Sequence, residues 1–207
     1  MSAEMNPDVI ATLAGLSPGS HLDVLRARRE QARMHSEASY HALFEPRDPG
    51  GFTLQERFAT ASLVAGIQGQ ADVAAFYVSG LTAAGATAAL LASVEAAISD
   101  GTAKGPYGHY APGPLSREDA AGPDFRVAGE LRPVLGPHLA AAFEHAHMLV
   151  FHPRDAAPAA LQVLLDAGWS TTDIVTLSQL VAFLSYQVRV AAGLRVLAAT
   201  PSFEAPP

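Results

Sequence analysis

Cysteine is absent from all 207 residues of the chain. Its absence removes disulfides, thiolate metal sites, iron–sulfur clusters and every cysteine-based redox mechanism at once. Runs of lysine or arginine are missing too, and the net charge is −7. Nucleic acid and anionic membrane are therefore poor partners. The opening MSAEMNPDV has neither a basic segment nor an apolar one, so no secretion signal is read and a cytoplasmic protein is expected. An uninterrupted apolar run is lacking as well. The best candidate for a membrane span, residues 168–197, is broken by Asp173, Gln179, Gln187 and Arg189, which argues against that role.

What the chain does have is alanine and helical periodicity. Hydrophobic residues make up 49%, and the abundance of the strongest helix former favours an all-α chain, read as a single domain over 1–207. The organising stretch is Gly168–Leu197. Ser170 or Thr171 can cap its start, with Asp173 in the first turn. Ile174, Leu177, Val181, Leu184, Val188 and Ala191 form one stripe at alternating steps of three and four. Phe183, Tyr186, Val190, Leu194 and Leu197 form a second. A helix apolar on two sides is expected to be central, with neighbours around most of its circumference.

The rest falls into four parts. Residues 6–51 read as N-terminal helices, the first beginning at Asn6-Pro7-Asp8 and ending at Gly15, the second running from about Ser20 to Phe44 before a turn-rich linker. The RARREQAR cluster in the second reads as a solvated face. Residues 52–100 open with a capping box, Thr53 and Glu56, and a helix reaching about Leu81. Gly66 and Gly69 inside it predict close helix packing or a break near Gly69. A further helix is expected over 83–99. Residues 101–125, rich in Gly and Pro, read as a long irregular loop in which His109, between Tyr107 and Tyr110, could cover a pocket. Residues 126–200 carry a helix to Phe151 bent at Pro133 or Pro137, a break at His152-Pro153, a short helix, and the organising one.

Two of these parts align with each other. Setting Leu63-Val64-Ala65 on Leu180-Val181-Ala182 also sets Gln70 on Gln187, Val73-Ala74-Ala75 on Val190-Ala191-Ala192, Thr53 on Ser170 and Glu56 on Asp173. Matching caps in a matching register predict an internal duplication of a helical unit. The same register sets Asp72 on Arg189, two charges inside apolar helices, which could pair if the helices cross there; the alternative is that each faces solvent or a different partner.

The second unit, with Gly168, Ser170, Asp173-Ile174, Leu180-Val181-Ala182-Phe183, Ser185 to Arg189 and Gly193-Leu194, resembles the AhpD-like / carboxymuconolactone decarboxylase family, in particular its peroxidase-related branch. Ser185 stands where the family typically has Asn. The resemblance extends over roughly 50–200. It implies an AhpD-like helical fold. It also places the family's Cys-x-x-Cys at Gln70-Ala71-Asp72-Val73, so that Gln70 and Val73 hold the cysteine positions and Tyr77 the following histidine position. Gln and Val can neither attack a peroxide nor form a disulfide, so thiol peroxidase activity is not expected.

The family's decarboxylases use no metal or organic cofactor, which leaves cofactor-free acid–base chemistry on a small carboxylated or lactone substrate. Candidate catalytic residues are Asp72, Tyr77, Arg189 and His147, with Glu56 and His145 also able to act as acid or base. Arg189 could hold a substrate carboxylate through its planar fork, and Gln70, Tyr186 and Gln187 are candidates for substrate binding. His145 and His147 point about 200° apart on a helix and make a poor metal pair, so no metal is expected. A closed polar pocket uniting Asp72, Tyr77 and Arg189 would favour an enzyme. Dry packing there would favour a non-catalytic small-molecule-binding or assembly protein. In either case exposed apolar helix faces point to a homo-oligomer, a dimer or higher.

Overall fold

The structure is a computed structural model that describes residues 8–200; Asn6 and Pro7 of the expected first helix start lie outside them. The described residues are all-α: α1 (Val9–Ala14), α2 (His21–Ala27), α3 (Glu30–Phe44), α4 (Leu54–Ile67), α5 (Ala71–Ala83), α6 (Ala88–Gly101), α7 (Arg132–Phe151), α8 (Pro158–Asp166) and α9 (Thr171–Ala199). Short 3-10 turns occupy Pro114–Glu118 and Pro153–Asp155. No strand occurs among the described residues.

Local chemistry sets most of the ends. Asp8 caps α1 by accepting from the Ile10 and Ala11 N–H groups, and Gly15 closes it in the left-handed region at φ 68°. Thr53 and Glu56 form the capping box of α4. Ser170 accepts from the Asp173 N–H and donates to its carboxylate at 2.6 Å. Gly69, at φ 72°, separates α4 from α5. Gly66 serves a different purpose: a Cβ there would sit 2.7 Å from the Ile98 side chain of α6. Its bare backbone lets α4 and α6 approach each other. The bend of α7 falls at Gly136, φ 70° and ψ 169°, immediately before Pro137. The proline ring drives the preceding residue out of the α region, and glycine accepts the resulting conformation.

Two helices are shorter than expected. The single helix over 20–44 is in fact α2 and α3, parted at Arg28–Arg29, and residues 126–131 are not helical. Nor is RARREQAR wholly solvated. Arg26 and Arg33 reach Asp8, which is buried, at 2.7 and 3.2 Å. The break between α2 and α3 allows both guanidiniums to converge on one carboxylate, which neutralises a charge that would be costly alone.

At the centre α4 packs against α5, α6, α7 and α9, and α9 also meets α1, α3, α7 and α8. The first stripe of α9 is buried throughout, from Ile174 to Ala191. Each such Leu, Ile or Val contributes about 1.5–3 kcal/mol relative to exposure. The second stripe is a correction. Phe183 and Val190 are only partly buried, Tyr186 and Leu197 are exposed, and Leu194 alone is buried. By length and composition α9 is the helix among the described residues that could cross a membrane. The two stretches that align in sequence differ in backbone: α4 and α5 break at Gly69, whereas the aligned stretch of α9 runs unbroken through Gln187.

Candidate functional site

Of the stretch Gln70–Tyr77, Val73, Ala74 and Tyr77 are buried while Ala71 and Asp72 are exposed. Tyr77 of α5 is fully buried, its ring packed 5.1 Å from Phe44 and 5.2 Å from Phe76. Its hydroxyl donates to Oε1 of Gln187, also fully buried, on α9. Burial raises the Tyr77 pKa far above that of a free phenol, so the group stays neutral. The Gln187 Nε2 has no partner among the described residues. The hollows beside His145, His109 and Arg57 do not border Tyr77 or Gln187.

The expected constellation of Asp72, Tyr77 and Arg189 does not assemble. Asp72 is exposed and lies 3.5 Å from Arg195, not Arg189. Arg189 is exposed too, and donates to the Ser185 carbonyl of its own helix at 2.9 Å. Six residues turn an α-helix by about 240°, so Arg189 and Arg195 leave α9 on different sides. Arg195 is the residue that sequence reasoning missed. It donates to the Leu13 carbonyl at 3.1 and 2.7 Å and approaches the Gln70 side-chain oxygen at 3.5 Å, tying α9 to α1 and to the start of α5. Tyr186 faces α3, its hydroxyl 3.1 Å from that of Ser36. Glu56 is fully engaged, by its capping box and by His138 at 2.6 Å.

His147, the remaining catalytic candidate, is buried in packing. Its Nε2 is 3.0 Å from the Gly101 carbonyl and its ring stacks on Phe125 with centroids 4.7 Å apart. Its neighbour His145 is in a different situation. It is 6% exposed, and neither ring nitrogen has a partner among the described residues. Burial lowers the pKa of both imidazoles.

His145 borders a cleft between α7 and α8. Two adjoining hollows, of about 330 and 380 Å³, share His145, Met148, Ala157 and Ala160. One end is apolar, with Leu149, Leu161 and Pro158. The other carries Asp124, Arg126, Glu144 and Asp155. Glu144 is held by the Val127 N–H at 3.1 Å, by Arg126 at 3.3 Å and by Arg132. The His109 N–H, at 3.0 Å, holds the Asp155 carboxyl below the usual carboxylate range. The 101–125 loop thus clasps the 3-10 turn that precedes α8, and His109 lines a third hollow of about 280 Å³. Among the described residues no three His, Asp or Glu side chains are placed to hold a metal ion.

The two neutral histidines carry a pH prediction. Their folded-state pKa values lie below the ordinary 6.5. Above that value neither state is protonated and they contribute no pH dependence. Below it the unfolded chain takes up protons that the folded chain refuses, so stability falls with falling pH, by up to about 1.4 kcal/mol per pH unit for each. The urea midpoint is expected to be lower at pH 5.5 than at pH 7.5, and the drop smaller in His145→Phe. An equal drop in both proteins would exclude His145 as a source.

With this geometry in place, comparison with family profiles, curated proteins and solved structures gives no match to the chain.

Proposed function

We propose that this chain is a cytoplasmic, AhpD-like protein of the peroxidase-related kind that has lost thiol chemistry and keeps the scaffold for small-molecule binding and self-assembly. The observation that carries the reading is the buried Tyr77–Gln187 pair, with Tyr77 where the resemblance sets the histidine that follows the redox cysteines. A site that handles a peroxide or a lactone needs room and reactive groups, and here aromatic rings and one amide take up the space. Asp72 and Arg189 stand exposed and apart, which favours binding over acid–base catalysis by that set. Self-assembly is supported by apolar side chains left on the surface, among them Val134 of α7 and Val175 of α9.

Purified protein supplied with an organic hydroperoxide and a dithiol donor is expected to consume peroxide no faster than the protein-free mixture. Turnover proportional to protein concentration would overturn the proposal.

A further inference from the structure

We propose that the α7–α8 cleft binds a small neutral molecule with an apolar body and one hydroxyl group, the hydroxyl seated on His145. The inference specifies the ligand class for the binding role proposed above and rests on that reading.

Three observations carry it. First, a buried imidazole with both nitrogens unpartnered is costly, on the order of 1–3 kcal/mol for each stranded polar group. A hydroxyl can satisfy one of the two, donating to the bare ring nitrogen or accepting from the ring N–H. Second, the two hollows that His145 borders, about 330 and 380 Å³, are of ligand size. An apolar cavity of only ~150 Å³ already holds benzene. Third, the wall chemistry selects against charge. Met148, Ala157, Ala160 and Leu161 offer an apolar face. The polar end carries three carboxylates, Asp124, Glu144 and Asp155, against two cations, Arg126 and the Arg132 that pairs with Glu144. An anion would meet net repulsion there, and a cation would lose hydration against the apolar wall beside a histidine that burial keeps uncharged. The route in lies along α8, which buries only Leu164. A helix with so little apolar anchoring is among the segments that open locally at low cost.

The test uses the full chain at pH 7.5, with phenol as probe and toluene and benzoate as comparisons, followed by titration calorimetry and thermal shift. Phenol is expected to bind and raise the melting temperature. Toluene should bind about ten-fold more weakly for want of the hydroxyl, and benzoate should give no shift. His145→Phe should reduce phenol affinity at least ten-fold. Ala160→Leu fills the cleft from a partly exposed position and serves as the second variant, should His145→Phe fold poorly; it should also abolish the phenol shift. Absence of phenol binding, or phenol binding unchanged in Ala160→Leu, would show that the cleft holds only water and would sink the proposal. That result leaves the peroxide assay untouched, so the two readings fail separately.

Discussion

Arg57→Ala is expected to lower the unfolding free energy by about 3–5 kcal/mol, the largest effect of any single substitution considered. Arg57 is 4% exposed, and its guanidinium donates to three main-chain carbonyls, those of Phe52, Leu43 and Pro49, each at 2.8 Å. It joins the end of α3, the linker and the first turn of α4, while its charged group lies 5.2 Å from the Phe52 ring centroid. Two effects oppose each other. Removing a buried cation relieves a desolvation cost, and burial does lower the Arg57 pKa, with the Asp173 charge acting against that shift. Removing the donors strands three acceptors, each costing about 1–3 kcal/mol where water cannot reach. The second effect should win because all three bonds are short and two are fully buried. Arg57→Met separates packing from hydrogen bonding, since it keeps the aliphatic stem. Urea denaturation should find Met nearly as damaging as Ala. A Met variant within about 0.5 kcal/mol of the parent would mean that the carbonyls had found other partners.

The second large effect concerns Tyr77 and Gln187. Tyr77→Phe leaves the Gln187 amide without a partner, and Gln187→Leu leaves the Tyr77 hydroxyl without one. Each should cost about 1–3 kcal/mol, because the surviving polar group stays buried and unsatisfied. The double variant replaces both by apolar groups of similar shape and should recover most of the loss. A double-mutant cycle would then show strong coupling. Strictly additive costs, or silent single variants, would mean that water reaches the pair. The dry packing around Tyr77 on which the functional proposal relies would then be wrong.

Features that depend on neighbours in sequence were legible before any coordinates. The Thr53–Glu56 box, the Ser170 cap, the Gly15 stop and the pause at Gly69 each follow from side-chain chemistry within four residues. The parting of α2 from α3 was not legible, since Arg28 and Arg29 are no helix breakers. The chain turns there so that Arg26 of α2 and Arg33 of α3 both reach Asp8, a convergence that spacing does not show. Site geometry was harder still. Aligning the two helical units placed Gln70 on Gln187 and drew attention to the right neighbourhood. It could not reveal that Tyr77, two turns after Gln70, is the residue that meets Gln187. The Asp72–Arg189 expectation failed for a related reason: alignment assigns equivalence, whereas contact depends on the crossing of the helices, which favours Arg195. The unpartnered state of His145 is visible only once α8 lies across α7, because sequence spacing shows which residues share a face but not which lack a partner.

The placement of α9 bears on how the chain is made. Its buried stripe completes the packing of α1, α3, α4, α7 and α8, yet it comes after all of them in chain order. Until it is made, Leu63 and Val64 of α4 and Phe143 of α7, all fully buried in the finished protein, have no complete surface to settle against. A nascent chain paused near residue 170 would therefore present sticky surface to chaperones, and overproduction at high temperature should send it to inclusion bodies more readily than slow synthesis in the cold.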